Sequence, residues 1–478
     1  MTLLDPKTWQ ERTLSGGEYE VTEPATGEAL GAITLATAAD IADAVATARA
    51  AQPGWARSPH LARAAVLRRA GDLFAAYADE LGEWLVRESG SVPGKAGFEL
   101  HVAAQECYEA AALASRPLGE VLPSEEPRLS FTRRVPVGVA GVIAPFNAPL
   151  ILSIRSVAPA LALGNAVVLK PDPRTAVCGG LALAAIFAEA GLPEGLLHVL
   201  PGGAGAGRAL VADPGVPVIS FTGSTAAGRA VGETAGRLLK RVHLELGGNS
   251  ALVVLEDADI EGAVAQASWG SFFHQGQICM TTGRHLVHAS LYEEYVERLA
   301  ARADALAVGD PYREQVHLGP IIDRDQLAKI HGLVEASTAQ GARVAAGGTH
   351  RDLFYRPTVL ADAGDDCPAY REEVFGPVAP VRAFRTLDEA AALAADGPYG
   401  LSLGIVTRDT ALGLELADRI PTGIAHINDQ TVNDEAVAPF GGIAASGTGA
   451  RFGGASNIEA FTDLRWTTVR REPAGHAF

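Results

Sequence analysis

The stretch Val139-Ala140-Gly141-Val142-Ile143-Ala144-Pro145-Phe146-Asn147-Ala148-Pro149 decides the fold class, because a short apolar run ends abruptly in residues that favour turns. Similar runs recur after it, with helical stretches between them, at 167–170, 196–200, 218–221 and 243–246. Short apolar runs of this kind are typical of strands that are buried on both faces. The pattern therefore predicts a parallel sheet built from strand-helix-strand units.

A second alternation follows the apolar run at 252–255. Helical stretches are predicted near 290–307, 323–340, 386–395 and 410–419, interleaved with apolar runs at 378–384, 401–406 and 423–427. This pattern predicts a second α/β domain. Ahead of both alternations, residues 37–115 are predicted to be helical, with Asp40 capping the first helix.

Two β-prone segments, 128–135 and 461–469, stand outside the alternating units. Isolated strands are rarely stable alone. Pairing of the two segments as a protruding sheet that binds another subunit would explain them, and a simple edge hairpin is the alternative.

Composition and charge exclude several classes of protein. The chain has 478 residues, 48% of them hydrophobic and 20% charged, which excludes a disordered tail, a coiled coil and a small disulfide scaffold. Its net charge of −17 repels nucleic acid and anionic membrane surfaces. We therefore expect neither a nucleic acid nor a membrane as partner.

Four cysteines, at 107, 178, 279 and 367, have no paired spacing, so neither a disulfide framework nor a zinc knuckle is predicted. This usage favours a reducing cytoplasm, and no apolar run reaches the roughly 18 residues of a membrane span. His285 and His288 lack a third ligand nearby in sequence, so we predict no metal site.

Cys279 is the first candidate for chemistry, because polar Gln275 and Gln277 precede it and no acid lies within several residues. The alternative is a small buried hydrophobe, which is how Cys107 and Cys178 are interpreted. Cys367 follows Asp365 and Asp366 directly and is predicted to lie at the surface, where the neighbouring carboxylates raise its thiol pKa.

Glu245 and Asn147 both lie where a predicted strand ends. Glu245 closes an apolar run before two glycines, so desolvation would raise its pKa toward the range of a general base; an exposed edge carboxylate is the alternative. Ligands bind at strand ends of parallel sheets, and an amide such as that of Asn147 can donate to a developing oxyanion. An ordinary turn asparagine is the alternative there.

The strand-to-helix turn Thr222-Gly223-Ser224 is a candidate phosphate site, since small residues let backbone N–H groups approach a pyrophosphate. It lacks the GxGxxG pattern, so the signal is weak by itself. Lys170, at the end of another strand, would face the same crevice, with a solvated lysine as the alternative.

Together these segments resemble the aldehyde dehydrogenase superfamily over essentially the whole chain. Seven motifs of that family occur in its order, namely Pro145-Phe146-Asn147, Leu169-Lys170-Pro171, Phe221-Thr222-Gly223-Ser224-Thr225, Glu245-Leu246-Gly247-Gly248, Gly276-Gln277-Ile278-Cys279, Glu372-Glu373-Val374-Phe375-Gly376-Pro377 and Pro439-Phe440-Gly441-Gly442. Seven ordered matches are far more specific than any one motif, and they favour the functional interpretations of Cys279, Glu245 and Asn147.

The resemblance implies a covalent mechanism for aldehyde oxidation. Cys279 adds to the aldehyde as a thiolate, and the Asn147 amide with the Cys279 N–H stabilises the oxyanion of the thiohemiacetal. Hydride leaves to a nicotinamide, and Glu245 activates water to hydrolyse the thioester, which favours a free acid over a coenzyme A product. The implied cofactor contacts are Lys170, Gly207, Thr222, Gly223, Ser224, Leu246, Glu373 and Phe375.

The cofactor is expected to be NAD or NADP. Many NAD-preferring members of the family place a glutamate three residues after the strand-end lysine, where this chain has Pro173. Without that carboxylate NADP is not repelled, and Arg174 would attract it, whereas Asp172 restores some bias to NAD. The balance favours NAD.

The substrate is expected to be an aromatic aldehyde such as benzaldehyde, because the local amino-acid sequences around Lys170 and Cys279 resemble those of benzaldehyde dehydrogenases. An apolar set suits such a ring, and its members are Leu150, Ile151, Phe273, Ile278, Met280 and Phe440. Arg155 is the one nearby charge that would select a carboxylated substrate. The alternatives are an aliphatic aldehyde or semialdehyde dehydrogenase, a cofactor-independent cysteine esterase, and a protein that keeps the fold without catalysis.

The implied fold is α/β, with a Rossmann-like parallel-sheet cofactor domain, a second α/β catalytic domain and a small β extension for oligomerisation. The predicted boundaries are 1–115 with 138–246 for the dinucleotide-binding domain, 247–445 for the catalytic domain with the nucleophilic cysteine, and 116–137 with 446–478 for the bridging segments. A homodimer or homotetramer is expected.

Overall fold

The structure, a computed structural model, describes residues 2–4, 14–116 and 119–473. It opens with an antiparallel hairpin and four helices, followed by two strands of a small sheet. These elements are β1 (Glu18–Thr22), β2 (Ala29–Thr34), α1 (Ala38–Arg57), α2 (His60–Ala76), α3 (Ala78–Ser89), α4 (Pro93–Leu113), β3 (Val121–Leu122) and β4 (Leu129–Pro136).

The cap predicted for the first helix is wrong by three residues. Thr37 is the N-cap of α1, and Asp40 lies inside the first turn, where its carboxylate accepts the Thr37 N–H at 2.7 Å. The two side chains form a reciprocal capping box, which is a pattern that Thr37 followed by Asp40 permits.

The first alternating region forms a five-stranded sheet in which all neighbours are parallel. Its strands and helices are β5 (Val139–Ile143), α5 (Pro149–Ala162), β6 (Ala166–Lys170), a 3-10 turn (Pro173–Thr175), a π-helix (Val177–Leu181), α6 (Ala182–Glu189), β7 (Leu197–Val199), α7 (Ala204–Ala212), β8 (Val218–Thr222), α8 (Thr225–Arg237) and β9 (Arg241–Glu245). The spatial order is β7-β6-β5-β8-β9, so the chain reverses direction across the sheet between β5 and β8. Ligands bind at such a switch point, outside the carboxyl ends of the strands.

The second region forms a seven-stranded sheet in the order β12 (Arg343–Ala346), β15 (Thr358–Ala361), β16 (Val378–Phe384), β11 (Thr282–His288), β10 (Ser250–Val254), β18 (Ser402–Val406) and β19 (Ile424–Ile427). Its strands are parallel except for β12, which is antiparallel to β15. The elements from here to the end of the described chain are β10 (Ser250–Val254), α9 (Ile260–Phe272), a 3-10 turn (Phe273–Gly276), β11 (Thr282–His288), α10 (Tyr292–Ala305), α11 (Arg324–Ala339), β12 (Arg343–Ala346), β13 (His350–Arg351), β14 (Phe354–Tyr355), β15 (Thr358–Ala361), α12 (Pro368–Arg371), β16 (Val378–Phe384), α13 (Leu387–Ala395), β17 (Tyr399–Gly400), β18 (Ser402–Val406), α14 (Thr410–Asp418), β19 (Ile424–Ile427), β20 (Ile443–Ala444), α15 (Ser456–Phe461) and β21 (Thr462–Val469).

Both large sheets are buried on both faces, as their uninterrupted apolar runs predict. Every residue of β5, β6 and β10 is buried. Along β10, Leu252 and Val254 pack into one core, whereas Val253 packs into another on the opposite face. The α/β architecture with two parallel-strand sheets is confirmed.

The two β-prone segments pair with each other along their whole length. β21 lies antiparallel to β4, from Thr462 opposite Pro136 to Val469 opposite Leu129, and β3 covers the other edge of β4. This three-stranded sheet is separate from both large sheets, so the predicted pairing of the two segments is confirmed.

Cys367 is not at the surface as predicted, since only 3% of it is exposed. It packs with Tyr370 in the core of the second sheet, because the turn before α12 points it inward. Cys107 and Cys178 are buried, as expected. Among the helices of the described chain, none has the length and apolar character that crossing a bilayer requires.

Candidate active site

Five predicted site residues lie at the carboxyl ends of parallel strands and therefore meet at one edge of the first sheet. Lys170, Thr222 and Glu245 are the last residues of β6, β8 and β9, and Asn147 and Leu246 follow β5 and β9. A crevice of about 150 Å³ lies at this edge. Its lining includes the predicted residues Asn147, Thr222, Gly223, Ser224, Leu246, Cys279, Glu373 and Phe375.

Cys279 lies between this crevice and a larger cavity of about 410 Å³. Cys279, Asn147 and Leu152 line both spaces. A molecule in either space would therefore contact the same cysteine and the same asparagine.

A left-handed turn after α9 presents Cys279 at this boundary. His274, Gln275 and Gly276 have φ values of +49°, +55° and +66°. Gln275 holds the turn by donating to the carbonyls of Gly90 at 3.0 Å and Pro320 at 2.9 Å. Gly276 has no room for a side chain, because a Cβ there would collide with the backbone of Gly376.

The fold surrounds Cys279 with charges that are distant in the sequence. Burial, followed by the negative charges of Glu245 and Glu373, raises the pKa of Cys279 to about 12, and Arg155 opposes this shift. The thiol is therefore protonated at rest near neutral pH, and a base must take its proton before it can act as a nucleophile.

Glu245 is 3% exposed, so the interpretation as an exposed edge carboxylate is wrong. Neither of its carboxylate oxygens has a hydrogen-bond partner among the described residues. Burial raises its pKa well above the ordinary value, against the opposing charge of Arg155. A desolvated carboxylate with two free acceptors is suited to take a proton from a thiol or a water.

The crevice offers the groups that a dinucleotide needs. Ser224 lines the crevice and is the N-cap of α8, and the N–H groups at a helix N-terminus favour an anion such as a pyrophosphate. Glu373 accepts the Gly248 N–H at 2.9 Å, which fixes its carboxylate beside the crevice. Phe375 packs edge-on against Phe146 with ring centroids 5.9 Å apart.

Lys170 and Gly207 do not line the 150 Å³ crevice, although they lie beside each other. The Lys170 ammonium donates to the Gly202 carbonyl at 2.9 Å, so this lysine is not simply solvated. A Cβ at Gly207 would lie 3.8 Å from the Lys170 side chain. Glu245 also lines neither space, because it is buried behind them.

Arg174 is not free to attract a phosphate. It donates to Asp172 from two nitrogens at 2.9 and 2.8 Å and pairs with Asp323 as well. It also stacks over the Phe146 ring at 4.2 Å. The Arg174 guanidinium is therefore neutralised by protein carboxylates.

The larger cavity is lined mainly by apolar and aromatic side chains. Five of the six predicted residues line it, namely Ile151, Phe273, Ile278, Met280 and Phe440. Leu150 does not, because it points into the core of the first sheet. Residues that the sequence did not indicate are Phe98, Leu152, Trp269 and Val432.

Trp269 and Phe273 stack in parallel with ring centroids 4.3 Å apart, and Trp269 is 51% exposed at the cavity mouth. Their spacing of four residues near the end of α9 is the one sequence signal that could have indicated this pair. A flat aromatic wall favours a flat apolar ligand.

Arg155 is not available to bind a carboxylated substrate, because carboxylates of the protein itself already neutralise its charge. It is buried, pairs with Asp434, lies 3.7 Å from a Glu106 oxygen and stacks on the Phe440 ring at 4.5 Å. Within the described ranges, no group of His, Cys, Asp and Glu is arranged to hold a metal ion.

Comparison with known proteins agrees with this geometry. The model of the aldehyde dehydrogenase family matches residues 9–467. A vanillin dehydrogenase of Amycolatopsis sp. (strain ATCC 39116 / 75iv2) is 69% identical, with both chains covered completely. A benzaldehyde dehydrogenase [NAD(+)] of Pseudomonas putida is 50% identical over 97% of this chain and 95% of that protein.

A solved structure with the same fold is that of a salicylaldehyde dehydrogenase from Pseudomonas putida G7 complexed with salicylaldehyde. It superposes with a TM-score of 0.93 at 35% identity, covering 97% of this chain and 96% of that one. The chain described here belongs to the aldehyde dehydrogenase family.

Proposed function

We propose that this protein oxidises aromatic aldehydes to carboxylic acids with NAD or NADP, and that Cys279 is the nucleophile. The observation that carries the proposal is the position of Cys279 and Asn147 on the shared wall of an apolar, aromatic-lined cavity and a crevice at the carboxyl ends of the first sheet's strands. The relatives named for vanillin, benzaldehyde and salicylaldehyde support the choice of an aromatic ring.

Each residue has a separate role in the proposed reaction. The Cys279 thiol gives its proton to a water molecule, and the thiolate adds to the aldehyde carbon. The Asn147 amide and the Cys279 N–H donate to the oxyanion of the thiohemiacetal. A bound nicotinamide supplies the hydride acceptor.

The thioester that remains on Cys279 is hydrolysed in a second step. Glu245 removes a proton from the attacking water, and the carboxylic acid leaves as the sulfur recovers its proton. This step needs a carboxylate that accepts a proton readily, and the raised pKa of Glu245 is suited to this.

The substrate class is tested with purified protein and a panel of aldehydes. Benzaldehyde, vanillin and salicylaldehyde are expected to give kcat/KM values at least about tenfold above those of hexanal and succinic semialdehyde, because the cavity wall is aromatic and its one arginine is paired. Faster turnover of an aliphatic or carboxylated aldehyde contradicts the aromatic assignment.

We further propose that NAD is preferred over NADP. The support is the pairing of Arg174 with both Asp172 and Asp323. A 2′-phosphate would have to compete with these two carboxylates for the guanidinium. The ratio of kcat/KM with NAD to that with NADP measures the preference, and a ratio below one contradicts it.

We also propose the cytoplasm as location and a homodimer or homotetramer as the working state. Five large apolar side chains are exposed on the three-stranded sheet, which favours its burial against another copy; they are Val121, Leu129, Leu464, Trp466 and Val469. The domain boundaries at 115, 138, 246 and 445 remain part of this proposal. The predicted segments include residues 1, 5–13, 117–118 and 474–478, which lie outside the described residues.

A further inference from the structure

We infer that the buried ion pair Lys95–Glu99 is a positioning device that fixes the Asn147 amide against Cys279. The inference rests on the proposed role of Asn147 as an oxyanion donor. Lys95 and Glu99 lie one turn apart on α4, far from Asn147 in the sequence. Both are buried, with 2% and 0% exposed, and both line the 410 Å³ cavity together with Asn147 and Cys279.

Lys95 holds the backbone of Asn147 directly. Its ammonium donates to the Asn147 carbonyl at 2.7 Å and pairs with a Glu99 oxygen on its other side. The Asn147 carbonyl belongs to the irregular link between β5 and α5, where no helix or strand hydrogen bond fixes its direction. A charged donor at this distance fixes it more strongly than a neutral one.

Glu99 holds the segment that follows. Its second oxygen accepts the Leu150 N–H at 3.0 Å, at the start of α5. The N-cap of that helix is Ala148, which supplies no side-chain cap. A carboxylate from another helix therefore replaces the missing cap and interacts favourably with the helix dipole.

The Asn147 side chain needs this support because its amide group has no hydrogen bond of its own within the described chain. Across the described ranges, its amide group makes no hydrogen bond to the protein, although Asn147 is only 4% exposed. The amide is thereby left available for the substrate, and its position depends on its backbone alone. Since oxyanion donors act only when they are correctly placed, an error of about 1 Å lowers the rate severely.

The ion pair is costly to bury, and apolar side chains would fill the same wall of an otherwise apolar cavity. Its retention is explained if the two charges fix a conformation that apolar packing would leave loose. The pair contacts neither the sulfur nor the crevice, so both residues are positioning residues.

The experiment is a double-mutant cycle between Lys95 and Asn147 in the full-length protein, measured as kcat for benzaldehyde at saturating NAD. Lys95→Met alone is expected to lower kcat by about 10- to 100-fold, because the amide loses its fixed position. In an Asn147→Ala background the same change is expected to lower kcat by less than about threefold, since there is no amide left to position.

Lys240→Met is the matched control. Lys240 is only partly buried, but like Lys95 it donates to backbone carbonyls, those of Val211 and Asp213, and it lies away from the cavity. Its replacement is expected to leave kcat unchanged, which separates loss of positioning from loss of a lysine that holds backbone carbonyls in general.

The outcomes separate this inference from the proposed function. Equal losses from Lys95→Met in both backgrounds, or no loss in either, overturn the positioning role. If Asn147→Ala leaves kcat unchanged, the oxyanion role of Asn147 itself is wrong, and the inference is overturned with it. Should Lys95→Met fail to fold, the cycle is run with Glu99→Gln, which keeps an acceptor for the Leu150 N–H and removes the charge that holds Lys95.

Discussion

At the scale of single residues, the site depends on how one cation is shared among buried acids. Arg155 pairs with Asp434, approaches Glu106 and opposes the raised pKa of Glu245. Two buried carboxylates and a partly buried one around one guanidinium cannot all ionise at low cost. Proton occupancy in this cluster therefore sets the electrostatic field in which Cys279 and Glu245 react.

The cluster predicts a pH-dependent stability difference between wild type and Glu106→Gln. Burial raises the pKa of Glu106 from 4.5 to about 7, with Asp434 adding to the rise and Arg155 opposing it. Between these two values the folded state keeps a proton that the unfolded state has lost, so the wild type loses stability as pH rises through this window. The glutamine variant lacks this loss.

Urea unfolding at pH 5, 6 and 8 measures the effect. The stability of Glu106→Gln relative to wild type is expected to increase from pH 5 to pH 8. A difference that stays constant or decreases over this range contradicts the assigned protonation of Glu106.

A second prediction at this scale concerns Cys279→Ala. The variant is expected to lose all measurable oxidation of benzaldehyde, because the nucleophile is gone, while NAD binds with its wild-type affinity. Titration of intrinsic fluorescence with NAD checks the binding. Oxidation by the alanine variant above a trace level contradicts the nucleophilic role.

At the scale of elements, the turn between α9 and β11 determines where the sulfur lies. Gly276→Ala is expected to lower kcat/KM by about 100-fold or more, because the new Cβ collides with the backbone that follows Glu373 and Phe375. Gly191→Ala is the matched control, since Gly191 also has a positive φ but open space around it. It carries the left-handed strain of about 1–2 kcal/mol without the collision.

Steady-state kinetics and thermal unfolding of both variants test this argument. Both variants are expected to lose stability through the left-handed strain, with a further loss from the collision in Gly276→Ala and the large activity loss confined to that variant. If the two variants retain equal activity, close contact at this turn is not what places Cys279.

The elements themselves were largely predictable from the sequence, because buried parallel strands and amphipathic helices have distinct periodicities. The strand at 378–384 and the helix at 387–395 coincide with their predicted limits to within one residue. Capping was less accurate, since Asp40 and Thr37 both have the chemistry of an N-cap and only the backbone separates them. No feature of the neighbouring sequence indicates that the Cys367 side chain points into the core.

The site was predictable where a motif names the residue, as at Asn147, Glu245 and Cys279. The charges around those residues were not, because Glu106 and Asp434 reach Arg155 from elements far apart in the chain. Lys95 and Glu99 were missed because an i,i+4 pair of opposite charge normally indicates a solvated helix face. Their contact with the Asn147 segment is also distant in the sequence.

At the scale of the whole molecule, the three-stranded sheet is the exposed feature that a single chain leaves unexplained. Leu464 and Trp466 are 58% and 62% exposed on the same face of β21, which also has an open edge. Replacing both by lysine is expected to shift the protein to a smaller assembly, because the shared face would then carry two charges into an apolar contact.

Light scattering during size-exclusion chromatography measures the assembly. Leu414→Lys is the control, since Leu414 is 61% exposed on α14 and lies outside this sheet. An unchanged mass for the double lysine variant contradicts the proposed role of the sheet.

The most direct test of the central claim is rapid-quench mass spectrometry of Glu245→Gln mixed with benzaldehyde and NAD. The account predicts one equivalent of reduced cofactor per site in a burst, together with a benzoyl group on the peptide that contains Cys279. A burst without any acyl group on that peptide, or an acyl group on another residue, would contradict it.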